Sequence, residues 1–144
     1  MITGSCLCGK IQYELNGSPL FINYCHCNNC QKASGSFSSS LQVTEINSFQ
    51  WLAGEELLSS YESSPGNNRV FCSSCGSRMP MVRESHITIP AGTLNSDPGV
   101  KPIVHIFGNS SPSWYEYTDS LPCFDGQAPN EFWENWMREN GINS

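Results

Sequence analysis

Basic residues are scarce in this chain: seven Lys and Arg stand against thirteen Asp and Glu, a formal charge of −6. The seven occur singly, at positions 10, 32, 69, 78, 83, 101 and 138. No stripe follows a phosphate backbone, so a nucleic-acid partner is not expected. Long apolar runs are missing as well. No segment approaches the roughly 18–20 residues that span a bilayer, so no membrane partner is expected either. The Met1–Leu15 stretch lacks a basic n-region followed by an apolar h-region, which predicts a cytoplasmic, reducing location. Repeats, low-complexity tracts and linkers are absent too. With 144 residues, of which 38 % are hydrophobic and 14 % charged, the chain predicts one folded, rather polar domain spanning residues 1–144.

What the sequence has in excess is cysteine, eight residues in all. In a reducing compartment grouped cysteines are metal ligands more often than disulfides. Around them the pattern is that of short strands. Ile11, Tyr13 and Leu15 alternate with Lys10, Gln12 and Glu14, and Phe37, Ser39, Leu41 and Val43 alternate in the same way. Further strands are predicted over Leu57–Glu62, Arg69–Cys72, Met79–Arg83, His86–Pro90 and Ile103–Phe107, divided by turn signals such as Ser64-Pro65-Gly66-Asn67 and Asp97-Pro98-Gly99. Helix is expected for a turn or two after Cys27 and over Asn130–Glu139, where Phe132, Trp133, Trp136 and Met137 share one apolar face for core packing. The fold class is therefore mainly antiparallel β with a short C-terminal helix.

The cysteines fall into Cys6-Leu7-Cys8-Gly9, Cys25-His26-Cys27-Asn28-Asn29-Cys30, Cys72-Ser73-Ser74-Cys75-Gly76, and a solitary Cys123. A CxxC turn directs two sulfurs at one ion, and Gly76 can take the positive φ that such a knuckle demands. In extended chain, a CxC puts both side chains on one face. Cys6, Cys8, Cys72 and Cys75 thus form the two halves of one tetrahedral, structural site that clamps the N-terminal strand to mid-chain. Cys25, Cys27 and Cys30 are one ligand short of a closed site, and an open position is a place for chemistry. His26 and Cys123 could close it. An extended Cys25–Cys27 turns His26 to the opposite face, whereas Cys123 stays open as a fourth ligand. If Asn28 begins the helix, its free amides help hold Cys27 or Cys30 as thiolates.

These residues resemble the glutathione-dependent formaldehyde-activating enzyme family, whose wider grouping includes centromere protein V. The resemblance rests on Gly4-Ser5-Cys6-Leu7-Cys8-Gly9, on Cys25-His26-Cys27-Asn28-Asn29-Cys30 running into Lys32-Ala33-Ser34-Gly35, and on Arg69-Val70-Phe71-Cys72-Ser73-Ser74-Cys75-Gly76. Weaker echoes run through Gly92-Thr93-Leu94 and His105-Ile106-Phe107, and from Trp114 to Asp119-Ser120-Leu121-Pro122. It implies a β-tent fold with two zinc ions per chain, a structural one on Cys6, Cys8, Cys72 and Cys75 and a catalytic one on Cys25, Cys27 and Cys30. The implied activity is carbon–sulfur lyase chemistry on a thiol–aldehyde adduct, with glutathione as thiol and formaldehyde as aldehyde. Two positions depart from the family pattern: Gln31 replaces a usual basic residue and Asn95 a frequent aspartate.

Glutathione would bring two carboxylates, and Lys32 is the basic residue nearest the open site in sequence, with Arg69 and Arg78 flanking the other CxxC. His86 and His105 lie in apolar strand patterns and read as hydrogen-bonded core or edge residues. Trp51 and Trp114 read as core. The competing function is a non-catalytic zinc module that binds a protein partner, which a closed second site including Cys123 would favour. Chromatin association, suggested by the centromere protein V grouping, fits poorly, since two dications on seven thiolates leave the chain more acidic still.

Overall fold

A computed structural model of the chain describes residues 1–16, 21–43 and 46–142, with the backbone alone at 38, 39 and 43. Its strands are β1 (Ile2–Ser5), β2 (Gln12–Leu15), β3 (Phe21–Cys25), β4 (Ser38–Val43), β5 (Phe49–Ala53), β6 (Leu58–Ser64), β7 (Asn67–Cys72), β8 (Met81–Val82), β9 (Ile87–Pro90) and β10 (Pro102–Ile106). Two helices accompany them, α1 (Asn28–Ser34) and α2 (Asn130–Glu139). The expected mainly β fold of short strands with one C-terminal helix is the observed one.

The strands form three small sheets, β1-β2-β5, β10-β3-β4-β9-β8 and the hairpin β6-β7. All pairings are antiparallel except β10 with β3, which run parallel. That exception brings His105 opposite Tyr24 and Ile106 opposite Cys25, so the strand carrying the first cysteine of the open cluster is flanked on both sides. The alternation Ile11, Tyr13, Leu15 is fully realised, each side chain being buried between exposed or half-buried neighbours. In β4 the expected alternation is not seen where side chains are described, since Ser40 and Leu41 are buried in succession, while the side chains of Ser39 and Val43 lie outside the described residues.

One hydrophobic cluster joins Ile2, Tyr13, Leu15, Ile22, Leu41, Ile87 and Ile89 across the first two sheets. A second gathers Ile11 and Met79 around the thiols of Cys6 and Cys72, so the four-cysteine group sits on apolar packing. A third joins Val104, Ile106 and Ala128 to Phe132 and Trp133 of α2. Trp133 and Trp136 also pack their rings on Phe21 of β3, at 4.7 and 5.4 Å between centroids. The apolar face predicted for this helix is thus placed against β3 and β10.

Several expectations are corrected. The Met79–Arg83 strand shrinks to Met81–Val82, because Met79 instead bonds back to Val70 and packs under the cysteines. β1, β3 and β5 are strands beyond those expected, since none carries an extended period-2 signal; Ile22 and Asn23 are buried in succession because both faces of β3 are covered, one by the first cluster and the other, through Phe21, by α2. Trp51 packs with Tyr13 and Phe49 as expected, whereas Trp114 is 74 % exposed rather than core.

Candidate metal centres

The two halves of the four-cysteine group reach each other through two tight turns. Gly9 (φ +77°) follows Cys8 and its amide donates to the Cys6 carbonyl; Gly76 (φ +78°) follows Cys75 and donates to the Cys72 carbonyl. Positive φ is cheap only for glycine, and here it curls each pair of thiols around a common point. The sulfurs of Cys6, Cys8, Cys72 and Cys75 all lie within 4.8 Å of one another. Cys6 to Cys8 is 3.5 Å and Cys8 to Cys72 is 4.0 Å. Zn–S bonds of about 2.3 Å in a tetrahedron put sulfurs about 3.8 Å apart, so this donor set fits zinc. Ser77, 3.3 Å from the Cys75 sulfur, leads the contacts that lower that thiol's pKa to about 5.

The second group is built where β3 runs into α1. Cys25 ends the strand, and Cys27 caps the helix, its sulfur accepting from the Cys30 amide at 3.3 Å. The helix begins at Asn28, as expected. The sulfurs of Cys25, Cys27 and Cys30 also lie within 4.8 Å of one another. The Arg69 guanidinium donates to the Cys30 sulfur at 3.7 Å. Hydrogen bonding from Cys25, then from Cys27 and Arg69, outweighs burial and lowers the Cys30 pKa to about 5. Cys25 moves the other way, raised by its bond to Cys30 and by burial. Such a shared-proton thiol set suits a soft divalent ion.

Neither candidate fourth ligand joins this group among the described residues. His26 is fully buried on the far side of the strand end, as alternation requires. Cys123 is bridged to His105, and its sulfur packs over the Gly108 backbone, where an added Cβ would come within 2.6 Å. Gln31, the departure from the family pattern, donates through its amide to the carbonyls of His26 and Ser110, each at 2.7 Å, and so ties α1 to the chain after β10. Asn95 accepts from the Ser5 hydroxyl at 3.3 Å, beside the first cysteine cluster.

The three-cysteine group opens on a cleft of about 510 Å³, walled by Phe21, Phe107 and Trp133 and lined by Arg69, Arg78 and Arg83. Three of the chain's seven basic residues thus converge on one cleft in an acidic protein. Asn67 accepts from Arg83 at 2.8 Å and holds it in place. Burial, followed by repulsion from Arg69, lowers the pKa of both Arg78 and Arg83. Lys32, the basic residue favoured from the sequence, lines instead an adjoining cleft of about 430 Å³ with Tyr61 and Ser63, which shares Arg69 and Arg78 with the first. Arg83 carries no local motif; its place follows from the turn after β8, which sequence spacing does not reveal. His86, expected as a hydrogen-bonded core or edge residue, is half-buried just before β9 with its Nδ1 3.1 Å from the Ser85 hydroxyl, and it also borders the cysteine cleft.

Fold and site together define a mainly β protein with two thiol groups, of four and three sulfurs, that could each hold a metal ion. The family model described as glutathione-dependent formaldehyde-activating enzyme matches residues 1–110, and the chain belongs to that family. It is 28 % identical, over 99 % of this chain and 98 % of the relative, to a Halomonas elongata protein named "Putative glutathione-dependent formaldehyde-activating enzyme". The fold is also similar to the crystal structure of a Rhodobacter sphaeroides protein, with a TM-score of 0.53 at 19 % identity, over 69 % of this chain and 98 % of that one.

Proposed function

We propose that residues 1–144 form one zinc-binding domain that makes or breaks the carbon–sulfur bond of a thiol–aldehyde adduct, such as the adduct of glutathione with formaldehyde. Cys6, Cys8, Cys72 and Cys75 hold a structural zinc, and Cys25, Cys27 and Cys30 hold a second, catalytic one. The observation that carries this reading is the three-sulfur group facing an arginine-lined cleft. Zinc on three thiolates supplies a mild Lewis acid with a fourth position suited to a soft sulfur ligand.

The chain's own residues do the rest. Arg69, Arg78 and Arg83 receive the carboxylates of the thiol, while Lys32 lines the adjoining cleft, which shares Arg69 and Arg78. Guanidinium forks match carboxylates bidentately, so they orient as well as attract. Phe107 and Trp133 give the cleft an apolar wall beside the sulfur group. In the cleavage direction the C–S pair stays with sulfur, the hydroxyl proton leaves as the C=O bond forms, and one proton in net passes from oxygen to sulfur. Arg69, donating to Cys30, offsets the negative charge of the thiolate set while this happens.

Glutathione and formaldehyde combine unaided, so the test is the rate of exchange between free and adducted thiol at equilibrium. NMR exchange spectroscopy on the glutathione cysteine methylene should show acceleration by zinc-loaded protein and none by Cys30→Ser. Equal exchange with both, and with other thiols and aldehydes, would sink the lyase reading in favour of a non-catalytic, partner-binding module.

A further inference from the structure

Between the two ligand-competent sulfurs at the end of β3 stands a residue that faces the other way. His26 is fully buried, and its Nε2 lies 2.8 Å from Nδ1 of His105, which is fully buried too. The His105 Nε2 in turn lies 3.0 Å from both carboxylate oxygens of Asp119, whose side chain is 35 % exposed. The Asp119 carboxylate also accepts from the Leu121 amide at 3.0 Å. The two imidazoles lie edge to edge and nearly coplanar, 19° between planes and 5.1 Å between centroids, with Tyr117 stacked on His105 at 4.2 Å and Tyr24 at 4.9 Å. An unbroken chain of hydrogen bonds therefore runs from a surface carboxylate to the middle of the Cys25-His26-Cys27 segment.

The chain has a direction. An ionised carboxylate only accepts, so His105 presents its proton at Nε2 and leaves Nδ1 as a lone pair. With both rings neutral, His26 must then donate from Nε2, and its own Nδ1 becomes an acceptor. That Nδ1 is buried and has no hydrogen-bond partner among the described residues. An unpaired buried nitrogen opposes the observed ring placement, so the bond to His105 is the side-chain polar contact that holds it. The backbone reinforces the same seam, since the His26 amide donates to the Ile106 carbonyl at 3.0 Å.

We propose that Asp119 and His105, acting through His26, are positioning residues for the Cys25–Cys27 sulfur pair. In extended chain the two cysteines and the intervening histidine are coupled by alternation, so fixing the ring on one face fixes both sulfurs on the other. Ligand groups must be held to within about half an ångström of productive geometry, and partners behind the ligands commonly provide this. The inference rests on the reading that Cys25, Cys27 and Cys30 hold a metal. None of the three positioning residues belongs to that sulfur group or lines its cleft.

The test uses the full, metal-loaded chain at pH 8. Nitrogen-15 NMR of the histidine rings in the zinc form should find both His26 and His105 protonated at Nε2 alone. Cobalt-loaded protein titrated with a chelator should release its two ions in separable steps, with Cys30→Ser identifying the step of the three-cysteine centre. Asp119→Ala should weaken that centre's affinity about tenfold, leave the four-cysteine centre unchanged and release the His105 tautomer. Asp119→Asn, which keeps an acceptor oxygen in place, should restore most of the affinity. An Nδ1 proton on either ring of the wild type, an unchanged second centre in Asp119→Ala, equal weakening of both centres, or no rescue by Asn would each overturn the inference. A wild-type chain with metal only on the four-cysteine set overturns the metal reading itself, and this inference with it, before any substitution is made.

Discussion

Replacing Cys72 and Cys30 separately by serine should have unequal consequences, because the two metal centres close very different lengths of chain. Cys8 and Cys72 are 64 positions apart and their sulfurs 4.0 Å apart. Treated as a cross-link, closure of such a loop removes unfolded-chain entropy worth about 4 kcal/mol at 25 °C, against about 2 kcal/mol for the short Cys25–Cys30 segment. Cys72 is moreover fully buried among Ile11, Met79 and Cys6, so serine leaves a hydroxyl in apolar surroundings there. If each variant loses its ion, Cys72→Ser should fall about 2 kcal/mol or more below Cys30→Ser. For a chain of this size that is a gap in Tm of roughly 4–8 °C, and Cys72→Ser should aggregate first. Thermal melts with elemental analysis of each variant give both numbers. Equal melting temperatures with one ion lost from each, or Cys30→Ser as the less stable variant, would refute the division into a fold-clamping centre and a local one.

Arg83→Ala should raise KM for a carboxylate-bearing thiol several-fold while leaving a neutral thiol unaffected, as thiol-exchange rates across substrate concentrations would read; an equal effect on both removes the carboxylate assignment. In metal-free protein, alkylation should find Cys30 reactive at pH 6 and Cys25 inert at pH 8, because Cys30 is lowered to about 5 and Cys25 raised. The accompanying stability has a definite sign: a thiol depressed in the folded state contributes fully above its unfolded value near 8.5 and loses that contribution as pH falls through about 5, so metal-free protein should soften towards acid. Tyr13→Phe deletes a buried hydroxyl bonded to Thr93 at 2.7 Å and should cost about 0.5–1.5 kcal/mol in a urea melt. Gly54→Ala should cost more, since its φ is +77° and a Cβ there would lie 2.2 Å from the Lys10 carbonyl oxygen.

Much of the frame was readable before any coordinates. The C-terminal helix falls on the predicted Asn130–Glu139, because its period brings Phe132, Trp133 and Trp136 to one side without help from distant residues. β2 was readable from Ile11, Tyr13 and Leu15 for the same reason. β3 was not: one of its faces meets the core cluster through Ile22 and the other meets α2 through Phe21, so burial no longer alternates and Phe21-Ile22-Asn23-Tyr24-Cys25 shows no period. The parallel pairing of β10 with β3 was equally hidden, since pairing partners some eighty residues apart leave no local trace.

By itself the sequence determined the three-sulfur group and each half of the four-sulfur group, because CxC and CxxC spacings bring thiols together through turns of two or three residues, and glycines 9 and 76 permit those turns locally; the meeting of the two halves, 64 positions apart, took the fold. It also determined that His26 would face away from its neighbours, which is a property of extended backbone. Only the tertiary structure decided what surrounds these groups. Arg83 and Arg69 face Cys30, while Lys32, two positions from that cysteine, turns into the next cleft, because a helix carries neighbouring residues to different sides and the sheets bring distant ones together. The same long-range closure set Asp119 behind His105 and His105 behind His26. Their contact is fixed by the folding of whole sheets and loops against one another, a cooperative outcome that no short window of residues encodes.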